Sequence, residues 1–262
     1  MTSTIDGLQP TSFAPRIGTA GWTIPRADMG SFPAEGTHLE RYAATLPAVE
    51  INSSFHRPHR RATYERWAAS TPGDFRFSVK IPKTISHVQK LVAADALLET
   101  FAGEVGGLGA KLGVILVQLP LSLQFDRGVA SKFFAAVRRR FGSEVGVACE
   151  PRHATWFAAD ADACLIEHRV ARVAADPVLA PGGEDPGGWP GLRYHRLHGS
   201  PRVYHSAYER PRLEALAGQM TTDVETWCIF DNTASGAATG DALCLQSLLV
   251  PLSQPGQVSR GA

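Results

Sequence analysis

Eight times along this chain a short apolar run is followed by a stretch with turn or helical spacing, and most runs stop abruptly on a charged or amide residue. Such alternation points to a parallel sheet, because parallel neighbours need a crossover and a helix is the usual one. The runs are Ile17 to Trp22, Ala48 to Asn52, Phe75 to Ile81, Leu112 to Pro120, Val145 to Glu150, Arg172 to Asp176, Leu192 to His198 and Trp227 to Asp231. The fourth is apolar on both faces, as a strand covered by helices should be. Between the runs, Thr37 can cap a helix carrying Leu39, Tyr42 and Leu46. Helical spacing recurs from Ala62 to Ser70, Leu91 to Leu108, Val129 to Phe141, Trp156 to His168, Leu213 to Met220 and Asp241 to Val250.

At 262 residues the chain is long enough for one α/β barrel, which takes about 250. An open doubly wound sheet would show a glycine-rich turn after its first strand, and Gly18-Thr-Ala-Gly21 lacks that GxGxxG spacing. The expected fold is therefore a single (β/α)8 TIM-type barrel. Its helix between strands six and seven is missing or irregular, since Pro177 to Gly191 is crowded with Gly and Pro. The barrel is expected over residues 16–250, behind a flexible leader at 1–15 and ahead of a flexible tail at 251–262.

A formal net charge of +1 gives no overall pull toward nucleic acid or an acidic membrane. No run approaches a membrane span. Cysteines 149, 164, 228 and 244 form no CxxC pair, which argues against a disulfide framework or zinc knuckle and for a reducing cytoplasm.

Side chains alternate along a strand, so parity assigns faces. If Val49 and Ile51 pack on helices, Glu50 and Asn52 face the barrel. The same logic turns Arg76, Ser78 and Lys80 inward, then Gly146, Ala148 and Glu150, then Ala174 and Asp176, then Tyr194, Arg196 and His198, with Asp231 beside Ile229. These polar tips collect at the C-terminal mouth, where barrels of this kind do chemistry.

Gly18-Thr-Ala-Gly-Trp22, Val49-Glu-Ile-Asn-Ser-Ser-Phe55, Phe75-Arg-Phe-Ser-Val-Lys80 with His87, Gln118-Leu-Pro120, Glu150-Pro-Arg-His153 with Trp156, Arg196-Leu-His-Gly199 and Phe230-Asp-Asn-Thr233 follow one another in order. This set resembles the YecE-like family, domain of unknown function 72 (DUF72), and the likeness runs from about Ile17 to Val250. The resemblance implies a TIM barrel and leaves the chemistry open. Two positions depart from it: His56 stands where a Tyr is expected, altering one wall of the mouth, and Asp241 where an Asn is expected, as a helix cap.

Several carboxylates at one mouth need neutralising, because desolvation costs several kcal/mol per ion. One answer is a divalent metal, Zn, Mn or Mg, held by Glu150, Asp176, His198 and Asp231. That arrangement is similar to endonuclease IV and xylose isomerase, an analogy of fold alone. The other is internal pairing with Lys80, Arg152 and Arg196. The catalytic candidates are Glu150, Asp231 and Glu50 as acid–base groups and His198 as proton carrier. Candidate substrate contacts are Trp22, Asn52, Lys80, Arg152, Arg196, Trp156, Tyr204 and Asn232; the arginines would grip phosphate or carboxylate, and the aromatics would stack on a sugar or base. Lys80 reads first as a salt-bridge partner and second, if desolvated, as a Schiff-base lysine. Glu150 with Arg152 also reads as a structural ion pair, and His153 as a structural histidine. The expected activity is hydrolysis of a phosphorylated or sugar-containing small molecule. The alternative is a binding protein for nucleic acid or a small anion, drawing on the basic runs Arg57 to Arg61 and Arg138 to Arg140.

Overall fold

The computed structural model describes residues 13–249. The expected tail and most of the expected leader lie outside them. Phe13 is inside, and its amide donates to the carbonyl of Thr222 at 2.8 Å.

Ten strand segments make one sheet: β1 (Arg16–Ala20), β2 (Ala48–Ile51), β3 (Arg76–Lys80), β4 (Leu112–Gln118), β5 (Gly146–Glu150), β6 (Ala171–Arg172), β7 (Ala174–Asp176), β8 (Gly187–Gly188), β9 (Leu192–Leu197) and β10 (Glu225–Phe230). Their order is β7-β9-β10-β1-β2-β3-β4-β5-β6-β8, and every pairing is parallel except β6 with β8. β6 and β7 are two halves of one barrel strand, separated only by Val173. β6 pairs with β5 and β7 with β9, so that strand closes the ring. The result is the eight-position barrel expected, with β8 as an extra two-residue ladder in the glycine-rich linker where no helix forms.

Around the barrel run α1 (His38–Ala43), α2 (Ser53–His56), α3 (Arg61–Ala69), α4 (Asp95–Val105), α5 (Arg127–Phe141), α6 (Ala159–Glu167), α7 (Arg210–Ala217) and α8 (Ala237–Leu249). Local chemistry sets several of their ends. Thr37 and Glu40 form a reciprocal capping box that starts α1. Asp126 accepts from the amide of Val129 to start α5. The long helix expected from Leu91 is shorter, because Lys90, Leu91 and Ala93 adopt positive φ before α4 begins. No helix of the described residues is long and apolar enough to cross a membrane.

Two apolar layers follow from strand parity. Outward residues such as Val49, Ile51, Phe75, Phe77, Ile115, Val117, Val147 and Cys149 pack with the helices. Inward residues Ala48, Val114, Leu116, Ala148, Ala171, Val173, Tyr194, Trp227 and Ile229 fill the barrel. Tyr194 and Trp227 stack with ring centroids 6.0 Å apart. A small partner makes that volume available: a Cβ on Gly113 would lie 2.5 Å from Cζ2 of the Trp227 ring. Above this plug, the inward positions turn polar.

Strand six breaks the expected parity. Ala171 and Val173 face the barrel, whereas Ala174 and Asp176 face outward. Between its charged ends, Arg172 and Asp176, its residues are small and apolar at both parities, and unbroken alternation through Val173 carries Ala174 and Asp176 to the outer face with Arg172.

Candidate active site

Arg196, fully buried on β9, is the centre of the mouth. Its Nη2 donates to Glu50 Oε1 at 2.7 Å and Asp231 Oδ2 at 3.0 Å, its Nε donates to Glu50 Oε2 at 3.0 Å, and its Nη1 bonds Glu150 Oε2. One planar guanidinium thus gathers carboxylates from the ends of β2, β5 and β10. The five donors of an arginine fork permit this; the point charge of a lysine would not. Below, the Tyr194 hydroxyl bridges Glu50 Oε2 at 2.9 Å and Ser78 Oγ at 2.8 Å, joining the charged layer to the apolar plug.

His198, two residues further along the same face, lies between two of those acids. Its Nδ1 is 3.0 Å from Asp231 Oδ2 and its Nε2 3.3 Å from Glu150 Oε1. Glu150 Oε1 also accepts from Gln118 at 2.8 Å and from Arg152 Nη2 at 3.0 Å. Asp231 Oδ1 accepts from Asn52 at 3.3 Å. Tyr204 covers the imidazole edge-on at 5.8 Å, and it does so at φ 65, a strained conformation for a residue with a Cβ.

Charge and burial oppose each other throughout. Burial alone would raise the Glu150 carboxyl, but Arg196, His198 and Arg152 together hold it well below its ordinary value. Burial would likewise raise Asp231, and Arg196 with His198 brings it down. For His198 burial disfavours the cation, yet Glu150 and Asp231 outweigh it and its pKa rises. Lys80 goes the other way: burial, then the neighbouring Arg196 charge, lower it to about 8.

Of the candidate catalytic residues, Glu50, Glu150, His198 and Asp231 therefore meet in one network, with Arg196, Arg152 and Asn52 among the binding candidates. Lys80 and Tyr204 border it. Trp22 packs edge-on against Trp67 at 5.0 Å. Trp156 is 1% exposed and donates its indole N–H to the Leu123 carbonyl at 2.9 Å, so it is core and not a sugar platform. Asn232 turns aside to Asp241 Oδ2 at 2.7 Å and the Ser206 carbonyl at 2.9 Å. Asp241 sits inside α8 and not at its start, so it is a buried acceptor for Asn232 and the amide of Tyr208, not a cap. His56 is exposed, edge-on to Phe55 at 5.0 Å.

The metal set does not assemble. Asp176 leaves the barrel and pairs with Arg212 at 2.7 Å, because its half-strand has outward parity. The oxygens of Glu50, Glu150 and Asp231 are taken by Arg196, Arg152, Gln118, Asn52, Tyr194 and His198, and Arg196 fills the position between the acids that a cation would need. Among the described residues no three His, Cys, Asp or Glu side chains form a metal-holding group. Asp176→Asn is accordingly expected to change stability by less than about 1 kcal/mol in urea unfolding, as for other part-exposed pairs. A loss near 3 kcal/mol would return Asp176 to the site.

The basic runs are partly committed elsewhere. Arg138 donates to the carbonyls of Val145 and His168, and Arg140 pairs with Asp95 and Glu99. Parity had turned Tyr194 and Ser78 inward, and Gln118 ended a run, but none was assigned to the site. Their signal is position alone: each sits on the inward face of its strand, Ser78 and Tyr194 below a charged residue and Gln118 at the strand's own end.

Fold and site together define a TIM-type barrel whose C-terminal mouth holds a buried arginine–carboxylate–histidine network. Residues 16–259 match the family described as "Protein of unknown function DUF72", and the chain belongs to that family. It is 36% identical over 105 residues to the UPF0759 protein YecE of Escherichia coli strain K12, a stretch covering 40% of this chain and 37% of that protein. The match thus spans about a third of the curated relative. Two solved structures share the fold. A DUF72 family protein from Enterococcus faecalis V583 has TM-score 0.76 at 21% identity, covering 94% of this chain and 100% of that one. Another from Thermotoga maritima has TM-score 0.69 at 23% identity, covering 90% and 98%.

Proposed function

We propose that the mouth is the active site of a cytoplasmic enzyme acting on a small phosphorylated or sugar-containing anion, with His198 as its proton donor and hydrolysis as its reaction. The observation that carries this is the arrangement of charge at the mouth. Three acids (Glu50, Glu150, Asp231) face three cations (Arg196, Arg152, Lys80), and His198 stands between Glu150 and Asp231, which raise its pKa. Arg196 is consumed by the acids and Arg152 gives Nε and Nη2 to Glu150, so a ligand would meet the remaining Nη1 of Arg152 and the Lys80 amine. A guanidinium and an amine at the rim of the mouth suit phosphate or carboxylate.

Glu150 is held ionised and Glu50 is ligated through both oxygens, so neither is free to donate a proton. His198 is held from both nitrogens and its pKa is raised by Glu150 and Asp231; a ligand oxygen replacing Glu150 Oε1 at Nε2 would take the proton there, and water would return it. The four cysteines stand as free thiols, which supports a reducing compartment.

Titration calorimetry with inorganic phosphate tests the binding half. Micromolar to millimolar affinity is expected for the wild type, weakened at least about tenfold in Arg152→Gln, the loss of one charge-assisted contact. Phosphate binding equally well to Arg152→Gln, or not at all to the wild type, sinks the assignment. Steeply salt-dependent binding of single-stranded DNA without turnover of any phosphoester or glycoside would favour the binding-protein alternative.

A further inference from the structure

Lys80 closes β3 at the mouth, and its use is not explained by the network beside it. Its Nζ lies 4.1 Å from the centroid of the Phe55 ring, and the residue is 8% exposed. Among the described residues it makes no ion pair and donates no hydrogen bond, although three carboxylates end on the same mouth; those acids are paired to arginines and His198. The salt-bridge role expected from the sequence is therefore not the one it has.

The choice of residue is informative. The chain has five lysines and 21 arginines, and the mouth cations that bind carboxylates, Arg152 and Arg196, are arginines. The other lysines sit elsewhere: Lys83, Lys90 and Lys132 are exposed, and Lys111 donates to the carbonyls of Ala68 and Thr71 at 2.6 Å. An amine differs from a guanidinium in one respect that matters here, namely that it can lose its proton and become a nucleophile. Burial away from water and a neighbouring fixed positive charge bring that about, here against the pull of the Phe55 face on the cation. At a pKa of about 8, roughly a tenth of Lys80 is neutral amine at pH 7.

We propose that Lys80 is a catalytic, carbonyl-capturing amine and that the substrate is a small anionic aldehyde or ketone, an open-chain sugar phosphate being the simplest molecule that meets both requirements. This rests on the reading of the mouth as an anion site, names its substrate class, and replaces hydrolysis there with carbonyl chemistry. The neutral amine attacks the carbonyl carbon; the N–C bond forms as the C=O π pair moves to oxygen, which takes a proton from His198. The nitrogen gives up a proton in return, a second proton expels the hydroxyl as water, and a C=N iminium remains. Amine, carbonyl and one proton become iminium and water, with no change of oxidation state. The iminium then accepts the electron pair of a bond broken at the neighbouring carbon, so the chemistry it serves is cleavage or isomerisation next to a carbonyl.

The test traps the iminium. The full-length protein is incubated with pyridoxal 5′-phosphate, an aldehyde carrying a phosphate, reduced with sodium borohydride, and digested for mass mapping, while inorganic phosphate binding is measured in parallel. Reductive labelling is expected at Lys80, at least about tenfold faster than at any other lysine, slowed by added inorganic phosphate and absent in Lys80→Arg and Lys80→Met. Equal labelling of all five lysines, or a Lys80 that stays unmodified while phosphate binds, overturns the amine proposal and leaves the anion site standing. Absence of both labelling and phosphate binding overturns the two together.

Discussion

Arg196→Met is expected to destabilise the protein by at least about 3–5 kcal/mol, the range for removing one partner of a buried ion pair. The cost is not the loss of favourable contacts alone. Methionine fills similar volume, but it leaves Glu50, Glu150 and Asp231 facing one another at low dielectric with the charge between them gone. Arg196→Lys should recover only part of the loss, because one ammonium cannot reach carboxylates on three strands at once. Urea unfolding measures both, and the pH dependence shows the cause. In the wild type the folded pKa values of Glu150 and Asp231 lie below their ordinary ones. Their contribution is therefore present above the ordinary carboxylate range and is lost as pH falls through the depressed values. Without Arg196 the acids protonate readily, so the gap between variant and wild type should narrow below about pH 4. A gap under about 1 kcal/mol at pH 7, or one that does not change with pH, would mean that Arg196 does not carry the network.

How much of this was legible in the chain depends on contrast between the faces of each strand. In β2 the apolar Val49 and Ile51 alternate with Glu50 and Asn52, and burial of one set forces the other inward. The same holds for Arg76, Ser78 and Lys80 against Phe75, Phe77 and Val79, and for Tyr194, Arg196 and His198. In strand six Val173, Ala174 and Ala175 are all small and apolar, so the contrast is weak, and Asp176 points out of the barrel with Arg172. Parity also brings charges to one rim without saying which cation meets which acid. That is settled by reach and donor count, which gave Arg196 the acids and left Lys80 against Phe55. Trp156 shows the same limit: an aromatic beside Glu150 and Arg152 in sequence turned out to brace the loop below them through Leu123 and Phe125.

His198→Gln is expected to lower turnover of any accepted substrate by about 10²–10⁴-fold, the range for removing a positioned proton donor, with a smaller effect on substrate affinity. Glutamine keeps the volume and can donate to Glu150 or Asp231, so loss of folding should not mask the result. The wild-type imidazole has its folded pKa raised above the ordinary histidine value by Glu150 and Asp231, against the opposing effect of burial. Stability from its charged form is therefore fully present below about pH 6.5 and is lost as pH rises through the raised value. Turnover that needs the imidazolium should fall over the same interval, giving a basic limb in the rate profile that the glutamine variant lacks. The imidazole proton resonances report the same titration without a substrate, and Asp231→Asn, which removes the acceptor 3.0 Å from Nδ1, should move it downward. An imidazole that titrates at or below its ordinary value in the wild type would remove the proton donor from the mouth.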